Sequence, residues 1–143
     1  MNAKEYFEQI YCLERHLDDS IESYETIKSI AESTTAKLSG MPGGGGENRK
    51  QENLIVKMVC LEEQIHADVQ RLEELKTQAI DCIYMLEDPM QRKVIEKRYL
   101  KNCSWNKIIC ELNSSRSYAF AKGAAGLKNL DKIMENKGLF WTG

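Results

Sequence analysis

Between Tyr6 and Ile30 the apolar side chains recur at three- and four-residue steps: Tyr6, Ile10, Leu13, Leu17, Ile21, Tyr24 and Ile27. At 3.6 residues per turn these positions share one face, and acidic residues fill the others, so the segment is predicted to be an amphipathic helix. The pattern stops from Ser39 to Asn48, where four consecutive glycines lose too much backbone entropy to be held in a helix. It resumes with Leu54, Met58, Leu61, Ile65, Leu72, Leu75, Ala79, Ile83 and Leu86. A second helix of about 35 residues, roughly 50 Å long, is expected there. Two such helices joined by a Gly-rich linker at 39–50 predict a long antiparallel hairpin with a coiled-coil-like seam. A hairpin alone buries little apolar area. The expectation is therefore a homodimer, or packing of the hairpin on the rest of the chain.

Asp88-Pro89 marks the boundary between the acidic hairpin (1–87) and a second part (88–137). Asp88 suits an N-cap and Pro89 the first helical position, so a new helix is expected with Val94, Ile95 and Tyr99 on its apolar side. Ser104 caps a short helix bearing Trp105, Ile108, Ile109 and Leu112. Asn113-Ser114 makes a turn, and Ser115 caps a last helix running through Leu127, Leu130 and Ile133. Residues 138–143 form a short apolar tail. The fold expected is all-α, a helical hairpin followed by a three-helix helix-turn-helix module, with Tyr99 and Trp105 in the module's core.

With only two prolines and a charged fraction of 29%, the composition favours helices over a sandwich or barrel. No apolar run approaches the ~20 residues that span a bilayer, so no membrane association is expected. The polar start, Met1-Asn2-Ala3-Lys4-Glu5, does not read as a secretory signal. The five cysteines are odd in number, widely spaced and lack any C-x-x-C pair, which fits reduced thiols in the cytoplasm.

Charge changes the picture. Residues 1–88 hold 9 Lys/Arg against 18 Asp/Glu, and residues 89–143 hold 11 against 4. A basic helical module on an acidic helical body is a common arrangement in proteins that bring a partner to DNA. Within the basic part stand Arg98-Tyr99-Leu100, then Ser104-Trp105-Asn106-Lys107-Ile108-Ile109-Cys110-Glu111-Leu112, then Ser114-Ser115-Arg116-Ser117-Tyr118, and finally Leu127 and Leu130. This order resembles region 4 of bacterial sigma factors and their phage relatives. With the two long helices, the Met41–Gly46 loop and the Asp-Pro hinge, the chain resembles small phage and prophage proteins of Gram-positive bacteria described as RinA/ArpU-like late-transcription regulators. The resemblance implies sequence-specific binding of double-stranded DNA in a bacterial host cell, with RNA polymerase or another host protein as a further partner. One departure stands out. Where that family carries longer side chains, this chain has Ala121, Gly123, Ala124, Ala125 and Gly126. Either the last helix approaches a backbone closely, or it reads bases less.

The candidate DNA-binding residues are Ser115, Arg116, Ser117 and Tyr118, at a helix N-terminus where backbone N–H groups and the dipole favour phosphate. Lys122, further along the same helix, is a candidate for contact with base edges, and Lys107, Arg98 and Lys101 are candidates for phosphate attraction. Glu63-x-x-His66 has the spacing of a di-metal bundle motif but lacks the second copy such sites need. His16, beside Asp18 and Asp19, reads as a surface residue. No cysteine has a histidine partner at a recognisable spacing, and the glycine run lacks the Gly-Lys-Ser/Thr ending of a phosphate loop. No catalytic residue, metal or cofactor is expected. The reading is a non-enzymatic transcriptional regulator whose hairpin dimerises or contacts polymerase. The alternative is a phage-encoded protein-binding inhibitor, of anti-CRISPR or anti-sigma type, or an assembly factor. In that case the small residues of the last helix would pack on the partner.

Overall fold

The computed structural model describes residues 1–38 and 45–140, with side chains at 1–33 and 49–140. It is all-α, and no strand occurs among the described residues. Helix α1 spans Ala3–Leu38 and α2 spans Gly45–Tyr84; these form the N-terminal hairpin. A cluster of three helices follows. Helix α3 (Pro89–Ile95) runs on through a π-helical turn (Glu96–Leu100), and α4 (Trp105–Leu112) and α5 (Arg116–Asn136) complete the cluster.

Of the linker expected at 39–50, residues 39–44 lie outside the described residues, whereas Gly45 to Lys50 are helical. The linker expectation fails over that second half. Once a long helix is nucleated each added residue gains a hydrogen bond, and a glycine inside it costs only about 1 kcal/mol.

The chain divides into two compact units, one built from Met1–Tyr11 and Glu73–Gly143, the other from Cys12–Leu72. In the second unit α1 and α2 are antiparallel. His16 Nε2 lies 3.4 Å from Asp68 Oδ2, and further along α1 the Tyr24 hydroxyl donates to the Glu62 carboxylate, earlier in α2. The α1 seam runs through Leu13, Leu17, Ser20, Tyr24 and Ile27, a strict heptad spacing, so Ser20 (7% exposed) takes the place expected for Ile21 (41%). On α2 the same spacing selects Leu54, Met58, Leu61, Ile65, Asp68 and Leu72. A seam that keeps step over several heptads is set by the 3.5-residue repeat, and an occasional polar side chain rides in it.

In the first unit the core is continuous across five elements. Ala3, Tyr6, Phe7 and Ile10 from α1 are buried, as are Leu75, Ala79, Cys82 and Ile83 from α2 and Leu86 just after it. Val94, Ile95, Ile108, Ala119, Leu130 and Met134 supply the other side. The Tyr6 hydroxyl donates to the Leu75 carbonyl at 3.0 Å, and the Ala3 N–H donates to Asp131 Oδ1 at 2.7 Å. Phe7 stacks on Tyr99, with ring centroids 5.2 Å apart and planes 22° from parallel. The Asp88-Pro89 boundary expected from sequence lies inside this unit.

Three local signals set the helix starts. Asp88 accepts from the Met90 N–H with Pro89 in the first turn, Ser104 accepts from Lys107 and Ser115 from Tyr118. Asn102 (φ 55°) and Asn113 (φ 50°) take left-handed conformations that turn the chain after the π-helical turn and after α4. The departure at the glycines resolves here. A Cβ on Gly126 would sit 2.8 Å from Ile95 Cγ1, and one on Gly123 would sit 2.9 Å from Trp105 Cη2. Both glycines are buried, and they let α5 lie close against α3 and the Trp105 ring.

Candidate nucleic-acid interface

The start of α5 is built from short-range rules. Asn113 ends α4 in a left-handed conformation, Ser114 follows, and Ser115 Oγ accepts the Tyr118 N–H at 3.1 Å. This leaves Ser115, Arg116, Ser117 and Tyr118 exposed on one helix N-terminus. The Arg116 guanidinium donates to Asn106 Oδ1 at 2.7 Å and lies 5.5 Å from the Phe120 ring centre. Phe120 meets the edge of Trp105 at 4.7 Å, and Arg98 covers Trp105 at 5.2 Å. Arg116 is thus aimed by two neighbours, one on α4 and one a turn further along α5, while its own surface stays open. Lys107, in the first turn of α4, has a 60% exposed side chain and only a 3.9 Å approach to Glu111. Its charge remains available to an anion.

Two of the expected residues serve their own chain. The half-buried Lys122 ammonium donates to Asp88, and this hydrogen bond holds its pKa above the ordinary lysine value. Arg98 donates to the Cys103 carbonyl at 3.1 Å, closing the loop after the π-helical turn. Lys101 is exposed and lies 3.8 Å from Glu96. The neighbouring Lys97 is committed to Glu111, whose carboxyl it holds below the usual range by donating a hydrogen bond. The structure therefore brings together Ser115, Arg116, Ser117 and Tyr118 and adds Asn106 and Phe120. It draws Lys122 and Arg98 into internal contacts.

The sequence alone does not single out Phe120 or Asn106. Phe120 stands four residues after Arg116, the spacing at which helical side chains meet, and that was the available signal. Asn106 offered none. Among the described residues no three His, Cys, Asp or Glu side chains gather closely enough to hold a metal ion, and no helix is long and apolar enough to cross a membrane.

A family model described as "Protein of unknown function (DUF1492)" matches residues 32–131. The chain belongs to this family. The DUF1492 match takes in all of α2 and the three-helix cluster up to Asp131, and so includes every residue of the candidate interface. No curated protein and no solved structure matches the chain.

Proposed function

We propose that this chain is a non-enzymatic regulator that binds double-stranded DNA through its C-terminal cluster, with α4, the turn at Asn113-Ser114 and α5 acting as a helix-turn-helix. The observation that carries the reading is the exposed, capped start of α5, where Ser115, Arg116, Ser117 and Tyr118 stand beside Asn106, with Lys107 exposed on the preceding helix. A helix N-terminus with an aimed guanidinium suits the edge of a major groove, where N–H groups meet phosphate and arginine meets guanine. The excess of 11 Lys/Arg over 4 Asp/Glu in residues 89–143 favours a polyanion. In this reading the acidic hairpin makes the homodimer that two half-sites require, and α5 reads few base pairs, since Ala121 and Ala124 present short side chains.

The buried glycines give no support to a protein partner, because Gly123 and Gly126 are taken up inside the cluster. Selection of bound duplexes from a random library tests the proposal, followed by titration over a range of salt. The expected result is an enriched motif and an affinity that falls steeply with salt. No binding to any duplex at low salt would overturn it.

A further inference from the structure

From Leu54 to Leu61 every residue but Lys57 is apolar, so this stretch of α2 is hydrophobic around its whole circumference. A helix of that kind is ordinarily covered on all sides. Here Leu54, Met58 and Leu61 lie in the seam with α1, while Ile55 (51% exposed), Val56 (60%) and Val59 (47%) stand open and Cys60 is exposed. Val56 and Val59 fall on a second heptad line, Arg49, Glu52, Val56, Val59 and Glu63, on the side of α2 opposite the first, and Ile55 and Cys60 flank it.

We infer that this second line and its flanks form the dimer interface, and that the occupant is the same face of a second copy, running antiparallel about a two-fold axis at Val56. At that axis the charge pattern suits a second copy in this direction. With Val56 opposite its own copy, Arg49 of each chain lies opposite Glu63 of the other, Glu52 faces the flanking Cys60, and Val59 faces Asn53. A parallel pairing would set Arg49 against Arg49 and Glu63 against Glu63. An isologous contact needs such self-complementarity, and like charges placed opposite one another disfavour the other direction. The contact from Arg49 to Glu63 runs about 21 Å along each helix at 1.5 Å per residue. It turns two thinly buried hairpins into one four-helix body. In the second unit only Leu17 and Ser20 are buried among the described residues, so a second copy on this face would add cover that the hairpin lacks.

The inference deepens the dimeric part of the function proposed above and does not depend on DNA binding. Sedimentation of the full chain without DNA should give a dimer. Val56→Lys with Val59→Lys should halve the mass with helix content retained. Arg49→Glu alone and Glu63→Arg alone should each weaken the dimer, and the two together should restore it. Direction is read by mixing an Arg49→Cys chain with a Glu63→Cys chain, both with Cys12, Cys60, Cys103 and Cys110 replaced by serine. Disulfides between unlike chains are expected. A wild-type chain that stays monomeric overturns the inference, as does a dimer indifferent to Val56→Lys/Val59→Lys, or disulfides only between like chains. None of these outcomes bears on DNA binding, which is judged by its own titration.

Discussion

Lys122, in the second turn of α5, is ion-paired to Asp88, whose other carboxylate oxygen caps α3 by accepting the Met90 N–H. One side chain thus starts one helix and anchors another. Hydrogen bonds from Lys122 and then from Met90 hold the Asp88 carboxyl below its ordinary value. A depressed carboxyl pKa contributes stability above its unfolded value of about 3.9, and that contribution is lost as pH falls through the lower folded value. Asp88→Asn keeps a capping oxygen and loses the charge, whereas Asp88→Ala loses both. Urea midpoints at pH 7 should fall in the order wild type, Asp88→Asn, Asp88→Ala. The gap between wild type and Asp88→Asn should close only in acid below about pH 4. A gap unchanged down to complete protonation would show that charge is not its source.

Gly126→Ala should destabilise although alanine is the better helix former. Its Cβ would lie 2.8 Å from Ile95 Cγ1, and Ile95 is 0% exposed with no room to retreat. Overpacking of about 1–3 kcal/mol outweighs the gain of about 1 kcal/mol in helix propensity. Gly123→Ala should cost less, since its closest neighbour is the rim of a half-exposed Trp105 ring. A double-mutant cycle with Ile95→Ala checks the assignment, because the two changes should be less costly together than their sum.

Arg116 and Lys107 should affect DNA binding differently. Arg116→Ala is expected to lose about 1–3 kcal/mol on the best duplex and little on unrelated ones. Lys107→Ala should weaken all duplexes alike and reduce the salt slope by about one. Lys122→Ala should leave the slope unchanged, because its charge is already paired with Asp88. Equal slopes for Lys107→Ala and wild type would remove Lys107 from the interface.

Thiol reactivity should separate the cysteines. Cys12, Cys60 and Cys110 are exposed, whereas Cys82 is 0% exposed and burial raises its pKa. The thiolate is the reactive form, so both access and ionisation protect Cys82. Mass spectrometry after brief alkylation should find Cys82 unmodified in the native protein and modified in urea.

Much of this fold was legible because its signals are local. Asp88, Ser104 and Ser115 announce their helices within three residues, and the heptad stripes announce α1 and α2. What escaped depends on partners distant in the chain. Counting apolar residues led to Ile21, since nothing local shows that Ser20 would be drawn into the seam by the 3.5-residue repeat. Lys122 reads as a DNA contact because it lies on the expected recognition helix, and nothing local shows its ion pair with Asp88, 34 residues away. Gly123 and Gly126 leave a close approach and a weaker reading of bases equally open in the sequence, and only the packing of α3 and Trp105 shows the close approach. At the candidate interface, Ser115 to Tyr118 could be read from a cap and a charge. Asn106 and Phe120 emerged only when α4 and α5 met.

The bond from the Ala3 N–H to Asp131 joins residues 128 apart, and Phe7 on Tyr99 closes nearly as long a span. The unit that holds the candidate interface is therefore discontinuous in time as well as in sequence. During synthesis its first strip emerges early and must wait until α5 has been made before its apolar face is covered. The Cys12–Leu72 unit draws on no residue beyond Leu72 and so does not wait for α5. The interface is then the last part to form, in a step slowed by the long loops it closes.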